Sequence, residues 1–226
     1  MEDAVAGHLH LPLLQWMVEA SNHQDVQYMQ TLMAGRNAVG EIGRSYIFPP
    51  DDNPAETSLE QWSANPQQRN LRVLQNVKAT GDTQLDRKAW EKTLKEVEKG
   101  YCQFLDDQEY DLNKVCITGR FPKWELKSDD TWAVRNISNW KESGGNAATA
   151  MRERYTPDDL TTVYATVRAL KEALGEDTVL AAYKADYEMA FRQPPTAPTQ
   201  AHITLEAVWD PTQQKTRVLE VFGQAF

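Results

Sequence analysis

Cysteine is nearly absent from this chain: two residues, Cys102 and Cys116, among 226. Two thiols supply neither a disulfide framework nor a zinc pattern, so both are expected to be reduced structural residues. Histidine is scarce too, and His8 and His10 have no cysteine or acid near them at ligand spacing. No apolar run approaches the roughly 20 residues that a membrane span needs, and no basic stretch followed by an apolar core opens the chain. An intracellular protein with no membrane partner is expected. A Gly-Lys-Ser or Gly-Lys-Thr unit is missing, which removes a Walker-type phosphate loop. Lysine and arginine number 24 against 33 acids, and the resulting net charge of −9 argues against a protein that coats any phosphate backbone it meets.

What remains is ordinary globular material, 41% hydrophobic and 25% charged, enough for one or two cores. The charge is uneven. Between Lys114 and Arg154 eight basic residues face five acids, so this segment is +3 while the rest carries −12. Residues 1–48 read as helical: Leu11, Leu13, Leu14, Met17 and Val18, then Val26, Met29, Leu32 and Met33, recur near helical spacing, and glycines between Gly35 and Gly43 break the pattern. Pro49-Pro50-Asp51-Asp52-Asn53-Pro54 reads as a linker or exposed loop. Residues 59–77 are mixed, anchored by Trp62, Val73 and Val77, and residues 79–82 interrupt them.

Residues 86–100 form the clearest helix, with Trp90, Leu94 and Val97 along one stripe and Gly100 where it would stop. Ser128-Asp129-Asp130-Thr131 is a turn between two extended arms, residues 123–127 and 132–137, which set Lys127 and Arg135 across or near one another. Lysine offers a point charge and arginine a two-pronged donor, a pair suited to a triphosphate. A glycine-bearing loop, residues 140–148, follows. The next helix is signalled by Thr156 as cap, Pro157 in the first turn, Asp158 and Asp159 at the positive end and Gly175 beyond the last turn, with Leu160, Val163, Val167, Leu170 and Leu174 as its buried stripe. Residues 178–193 open with strand-type residues and deliver one carboxylate, Asp186, where the apolar run stops, with Phe191, Arg192 and Gln193 shortly after. Residues 194–198 make a proline turn, and residues 203–209 and 216–222 alternate as the arms of a hairpin around residues 210–215.

The order of these pieces resembles reverse transcriptases of retroelements. Asp186 with Phe191 five residues on is similar to their first palm motif. The helix of residues 89–101, the Arg120-Phe121 strand and the Trp-containing basic hairpin are similar to the fingers and the helix before them, and Asn146 stands where the loop between fingers and palm carries a polar residue. Gly223-Gln224-Ala225-Phe226 resembles the start of the next palm turn, with Ala225 where proline is usual. An acid often follows the Arg-x-Ile unit in relatives; this chain has Asn139 near that position.

The resemblance implies an α+β fold: a helical extension over residues 1–84, then fingers and the first palm strands over 85–226. It implies RNA-templated DNA synthesis by two-metal nucleotidyl transfer, with magnesium on Asp186, Lys127 and Arg135 on the triphosphate, Phe191 excluding a 2′-hydroxyl, and Gln224 lying against the template and the incoming base. The implied partners are an RNA template, a DNA primer and a deoxynucleoside triphosphate. Two-metal chemistry needs further carboxylates, which relatives supply from an Asp-Asp hairpin after Gln224. These 226 residues lack that part, the C-terminal half of the palm, and are not expected to extend a primer alone. Two other readings stay open: a non-catalytic adaptor binding protein through its N-terminal helices, and a different metal enzyme using Asp186 with Glu188 or Glu206.

Overall fold

The computed structural model describes residues 10–23, 28–44, 46, 48–154, 159–181 and 195–223. The fold among them is mixed α+β, and its centre is a strand pair that the alternation of residues 203–222 announces. β7 (Leu205–Asp210) and β8 (Lys215–Val221) form an antiparallel hairpin in the middle of a five-stranded sheet of order β3-β8-β7-β4-β5, with β5 (Trp132–Ser138) at one edge. β3 (Cys102–Leu105) flanks β8 antiparallel, while β4 (Ile117–Leu126) runs parallel to β7 over Ile117–Gly119 only.

Successive side chains of a strand point to opposite faces, and β7 is buried on both. Leu205 and Ala207 join Val73, Val115, Ile117 and Val218 in one apolar cluster, beneath α4 (Gln67–Asn76). Val208, with Trp90, Cys102, Leu219 and Val221, builds a second cluster beneath α5 (Thr83–Glu98). A helix therefore covers each face, and Val73, from the segment before residue 84, sits in the same core as the strands after it. Both cysteines are free and buried.

α5 forms because Asp82 accepts from the Gln84 and Leu85 amides, both at 3.0 Å, and it ends because Gly100 adopts φ +72°, where a side chain would be strained. Its buried stripe is Leu85, Asp86, Trp90, Thr93 and Glu96, and Leu94 is 43% exposed. Of the stripe expected from Trp90, Leu94 and Val97, Trp90 is buried and Val97 packs on its cluster, whereas Leu94 is exposed and Glu96 turns inward to an arginine.

Three further expectations are corrected. Pro50 does not sit in a loop: β2 (Pro50–Asn53) pairs antiparallel with β6 (Ala150–Glu153), which also pairs parallel with β1 (Glu41–Ile42). A proline is tolerated as the first residue of an edge strand because no ladder donor is needed there. α6 (Leu160–Leu174) is capped by Asp159, whose carboxylate accepts from Thr162 N at 3.0 Å; Thr156, Pro157 and Asp158 lie outside the described residues. None of its residues is buried, and Leu160 is 86% exposed, so the expected buried stripe is not buried among the described residues.

The remaining described helices are α1 (Leu11–Ala20), α2 (Tyr28–Ala34), α3 (Leu59–Ser63) and a 3-10 helix, Pro198–Ile203, just before β7. Trp62 of α3 reaches the glycine loop, donating to the Ser143 carbonyl at 2.7 Å within a third cluster that includes Val39, Cys116 and Ile203. No described helix is long and apolar enough to cross a membrane.

Candidate functional site

β4 is ten residues long, but only Ile117–Gly119 pair with β7. Residues Ile117 to Arg120 are buried; from Phe121 the strand leaves the core and pairs antiparallel with β5 (Trp132–Ser138) as a projecting two-stranded ribbon. The ribbon's register sets which groups share a face. Lys123 is opposite Arg135, Glu125 opposite Ala133, and the Lys127 amide donates to the Thr131 carbonyl across the turn. Phe121, Lys123, Glu125, Lys127, Arg135 and Ile137 therefore lie on one face. Lys127 is four residues along from Lys123, about 13 Å at 3.3 Å per residue. Arg135 meets Glu125 at 3.6 Å, an exposed pair that contributes little.

At the root of that face is an open groove of about 440 Å³, lined by Phe121, Ile137, Trp140, Lys141, Asn146 and Thr149 among others. The loop behind it needs its glycine: a Cβ on Gly145 would lie 2.3 Å from the Trp140 ring. Asn139 braces the loop, its amide donating to Glu142 at 2.7 Å and its backbone N–H to the Gly119 carbonyl at 2.8 Å.

Beneath the root sits an ion cluster that the sequence reading does not anticipate. Arg120 is 5% exposed. Its Nε donates to Glu206 at 2.7 Å, Nη2 donates to the same carboxylate, and Nη1 donates to Glu96 at 2.9 Å. Ser138 Oγ bonds the other Glu206 oxygen at 2.5 Å. Burial alone would lower the Arg120 pKa, but the Glu206 and Glu96 carboxylates reverse the sign and hold it above its ordinary value. One side chain from each of β4, β5, β7 and α5 thus pins the ribbon where it leaves the sheet. A glutamate inside the apolar run of residues 205–209 is the sequence signal that could have found it.

The opposite face of the ribbon rests on α5. Trp124 Nε1 donates to Asp82 at 3.0 Å, Lys88 Nζ lies 5.1 Å from the Trp124 ring, and Asn136 donates to the Ala89 carbonyl at 3.1 Å. The indole N–H and then the Leu85 amide hold the Asp82 pKa below its ordinary 3.8. A carboxylate with a depressed folded pKa stabilises the fold above the unfolded value and loses that contribution as pH falls through the folded one. The Trp124 indole N–H resonance is therefore expected to shift with a midpoint below 3.8, and Asp82→Asn, which keeps an oxygen for the cap, to abolish the titration. A midpoint at or above 3.8 would remove this link.

Of the expected site residues, Lys127 and Arg135 share the ribbon face but are not across from one another as expected: the register sets Arg135 opposite Lys123, four residues or about 13 Å from Lys127. Asp186, Phe191 and Gln224 lie outside the described residues, as does Glu188. Glu206 is committed to Arg120 and Ser138. Among the described residues no three histidines, cysteines or acids converge on a point where a metal could bind. No protein family, curated protein or solved structure matches this chain.

Proposed function

We propose that the chain is a reverse-transcriptase-like protein whose described part is the fingers with the first palm strands, and that the β4–β5 ribbon receives the triphosphate of a deoxynucleotide. The reading is supported by one observation above all: Lys123, Lys127 and Arg135 share a face of a projecting ribbon that leads down to a groove large enough for a nucleotide. Charged donors to phosphate oxygens are the strong class of hydrogen bond, and arginine grips two oxygens at once. Glu125 lies between the cations and would release Arg135 when the phosphates arrive.

In this proposal Asp186 is the magnesium ligand, Phe191 the wall against a 2′-hydroxyl and Gln224 a contact to the template and the incoming base, in RNA-templated DNA synthesis on a DNA primer. Among the described residues no three acids, histidines or cysteines converge on a metal; in this proposal the ribbon contributes phosphate recognition. With the full chain and dTTP in magnesium buffer, calorimetry should give saturable binding. Lys127→Ala and Arg135→Ala should each weaken it roughly tenfold, the scale of one lost hydrogen bond to a charged group. Absence of binding, or binding that neither substitution changes, refutes the proposal.

A protein-binding adaptor is the second reading, favoured by α1, which leaves Leu13, Trp16 and Met17 about half or more exposed. Failure of dTTP to bind, together with a partner whose crosslinking Trp16→Glu abolishes, would decide for it.

A further inference from the structure

The ribbon's other face carries a feature that triphosphate binding does not use. Trp124 is opposite Val134 and Leu126 opposite Trp132, so the two tryptophans are diagonal cross-strand neighbours on the face turned to α5. Diagonal neighbours stand roughly 7–8 Å apart, about twice the 3.4 Å rise per nucleotide along a stacked strand. The space beside them is an open groove of about 410 Å³, lined by Asp82, Gln84, Lys88, Trp124 and Trp132.

The two walls differ in freedom. Trp124 is held by its bond to Asp82, and the Lys88 ammonium lies over its ring. Trp132 is 61% exposed, an uncommon position for so large an apolar ring. A fixed aromatic wall and a free one, both lining one open groove, suit the stacking of a flat ring. Lys88 sets a cation beside the groove, and Lys92 is one helical turn further along α5, with its Nζ at 3.3 Å from the Val134 carbonyl. Gln84 has both amide donors and an acceptor with which to meet the edge of a heterocycle.

From this geometry we infer that Trp124, Trp132 and Lys88 form a stacking site for an unpaired nucleobase of single-stranded nucleic acid, on the face of the ribbon away from Lys127 and Arg135. Stacking between aromatics with a cation near the backbone is the sequence-tolerant way of holding a single strand. A neutral sugar would make no use of Lys88, and a proline-rich segment would gain nothing from a cation. The inference stands on this groove alone and does not rest on triphosphate binding.

The test is fluorescence anisotropy of labelled heptathymidylate titrated with the full chain at low salt. Trp132→Ala should weaken binding about tenfold, the scale of one lost base–aromatic stack, while Trp132→Phe stays within about threefold of the parent. Because Trp132 is exposed, circular dichroism and the thermal midpoint of both variants should match the parent, so a loss of binding is not a loss of fold. An abasic heptamer with the same phosphates should bind about tenfold more weakly than heptathymidylate. Equal binding of the abasic chain, no effect of Trp132→Ala, or displacement of the label by cellohexaose or a polyproline peptide at comparable concentration overturns the inference. Trp132→Ala should leave dTTP binding unchanged, so the two ribbon faces succeed or fail separately.

Discussion

Arg120→Met is expected to lower the unfolding free energy by about 3–5 kcal/mol in a urea titration, the range for removing one partner of a buried ion pair. The arginine side chain is 2% exposed, that of Glu206 is fully buried and that of Glu96 5% exposed, so neither carboxylate has water to turn to once the guanidinium is gone. Repulsion between the two acids adds to the desolvation cost, and protonation is their way out. A buried carboxylate without a cation has a folded pKa above its unfolded value, so it binds a proton more readily when native. The variant should therefore gain stability as pH falls through the carboxylate range. The parent lacks this behaviour from Arg120, whose raised pKa keeps its contribution complete at every pH below the ordinary arginine value. The companion variant Arg120→Met with Glu96→Leu, Glu206→Leu and Ser138→Ala removes all the charges together and should recover most of the loss. A drop below about 1 kcal/mol for Arg120→Met, or one that acid does not relieve, would mean that water or another group reaches the acids. Since these side chains pin the ribbon's root, Arg120→Met should also speed amide exchange in β5 ahead of β8.

The parts of this architecture legible in the sequence are those whose cause is local. Alternation through residues 203–222 around Asp210-Pro211 gives the β7–β8 hairpin, because the period of two and the turn lie within twenty residues of each other. Gly100 ends α5 for the same reason, although the helix starts at Thr83 under the Asp82 cap, three residues before the expected start, and the Ser128–Thr131 turn gives the ribbon. What the sequence conceals is non-local. Nothing around Ile117 reveals that β4 runs parallel to β7, about ninety residues later, or that Pro50 begins a strand whose partner is β6. The α6 stripe misleads in the other direction: its apolar spacing is sound, but spacing says which face a helix would bury and not whether anything covers it. In the candidate site Lys127 and Arg135 were legible, whereas the place of Lys123, opposite Arg135 and four residues from Lys127, comes from the register alone. Glu206 shows the limit most clearly. A glutamate within an apolar strand announces a buried partner, yet only the fold identifies Arg120, 86 residues earlier.

Asn70→Asp, a change of one atom type with no change of shape, should cost about 3–5 kcal/mol, the range for a buried charge left without a partner. Asn70 is fully buried on α4 and uses its whole amide to tie down the chain that leads into β4. Its Nδ2 donates to the carbonyls of Leu112 at 2.9 Å and Val115 at 2.7 Å, and its Oδ1 accepts from the Ile117 amide at 3.0 Å. An aspartate has no donor when ionised, so two carbonyl oxygens would face a carboxylate oxygen at hydrogen-bond distance. Protonation restores one donor of the two, and the introduced carboxyl therefore has a folded pKa raised above its unfolded value. Stability should then increase as pH falls below the folded pKa, which an equilibrium urea titration at several pH values would read. Asn70→Leu separates the contributions. It orphans the same two carbonyls and the Ile117 N–H without adding charge, so it should destabilise by a few kcal/mol with no pH dependence. Equal losses in the two variants at neutral pH would assign the cost to the missing hydrogen bonds alone, and an Asn70→Asp loss under about 1 kcal/mol would show that the segment moves aside instead of meeting the charge. The direction of that movement matters for the ribbon. Ile117 is the first residue of β4, Arg120 is three residues on and Lys123 six, so a shift of the strand's start displaces the cationic face with it. The Asn70→Asp variant should therefore bind dTTP more weakly at neutral pH than under acid, although Asn70 is on α4 and not on the ribbon.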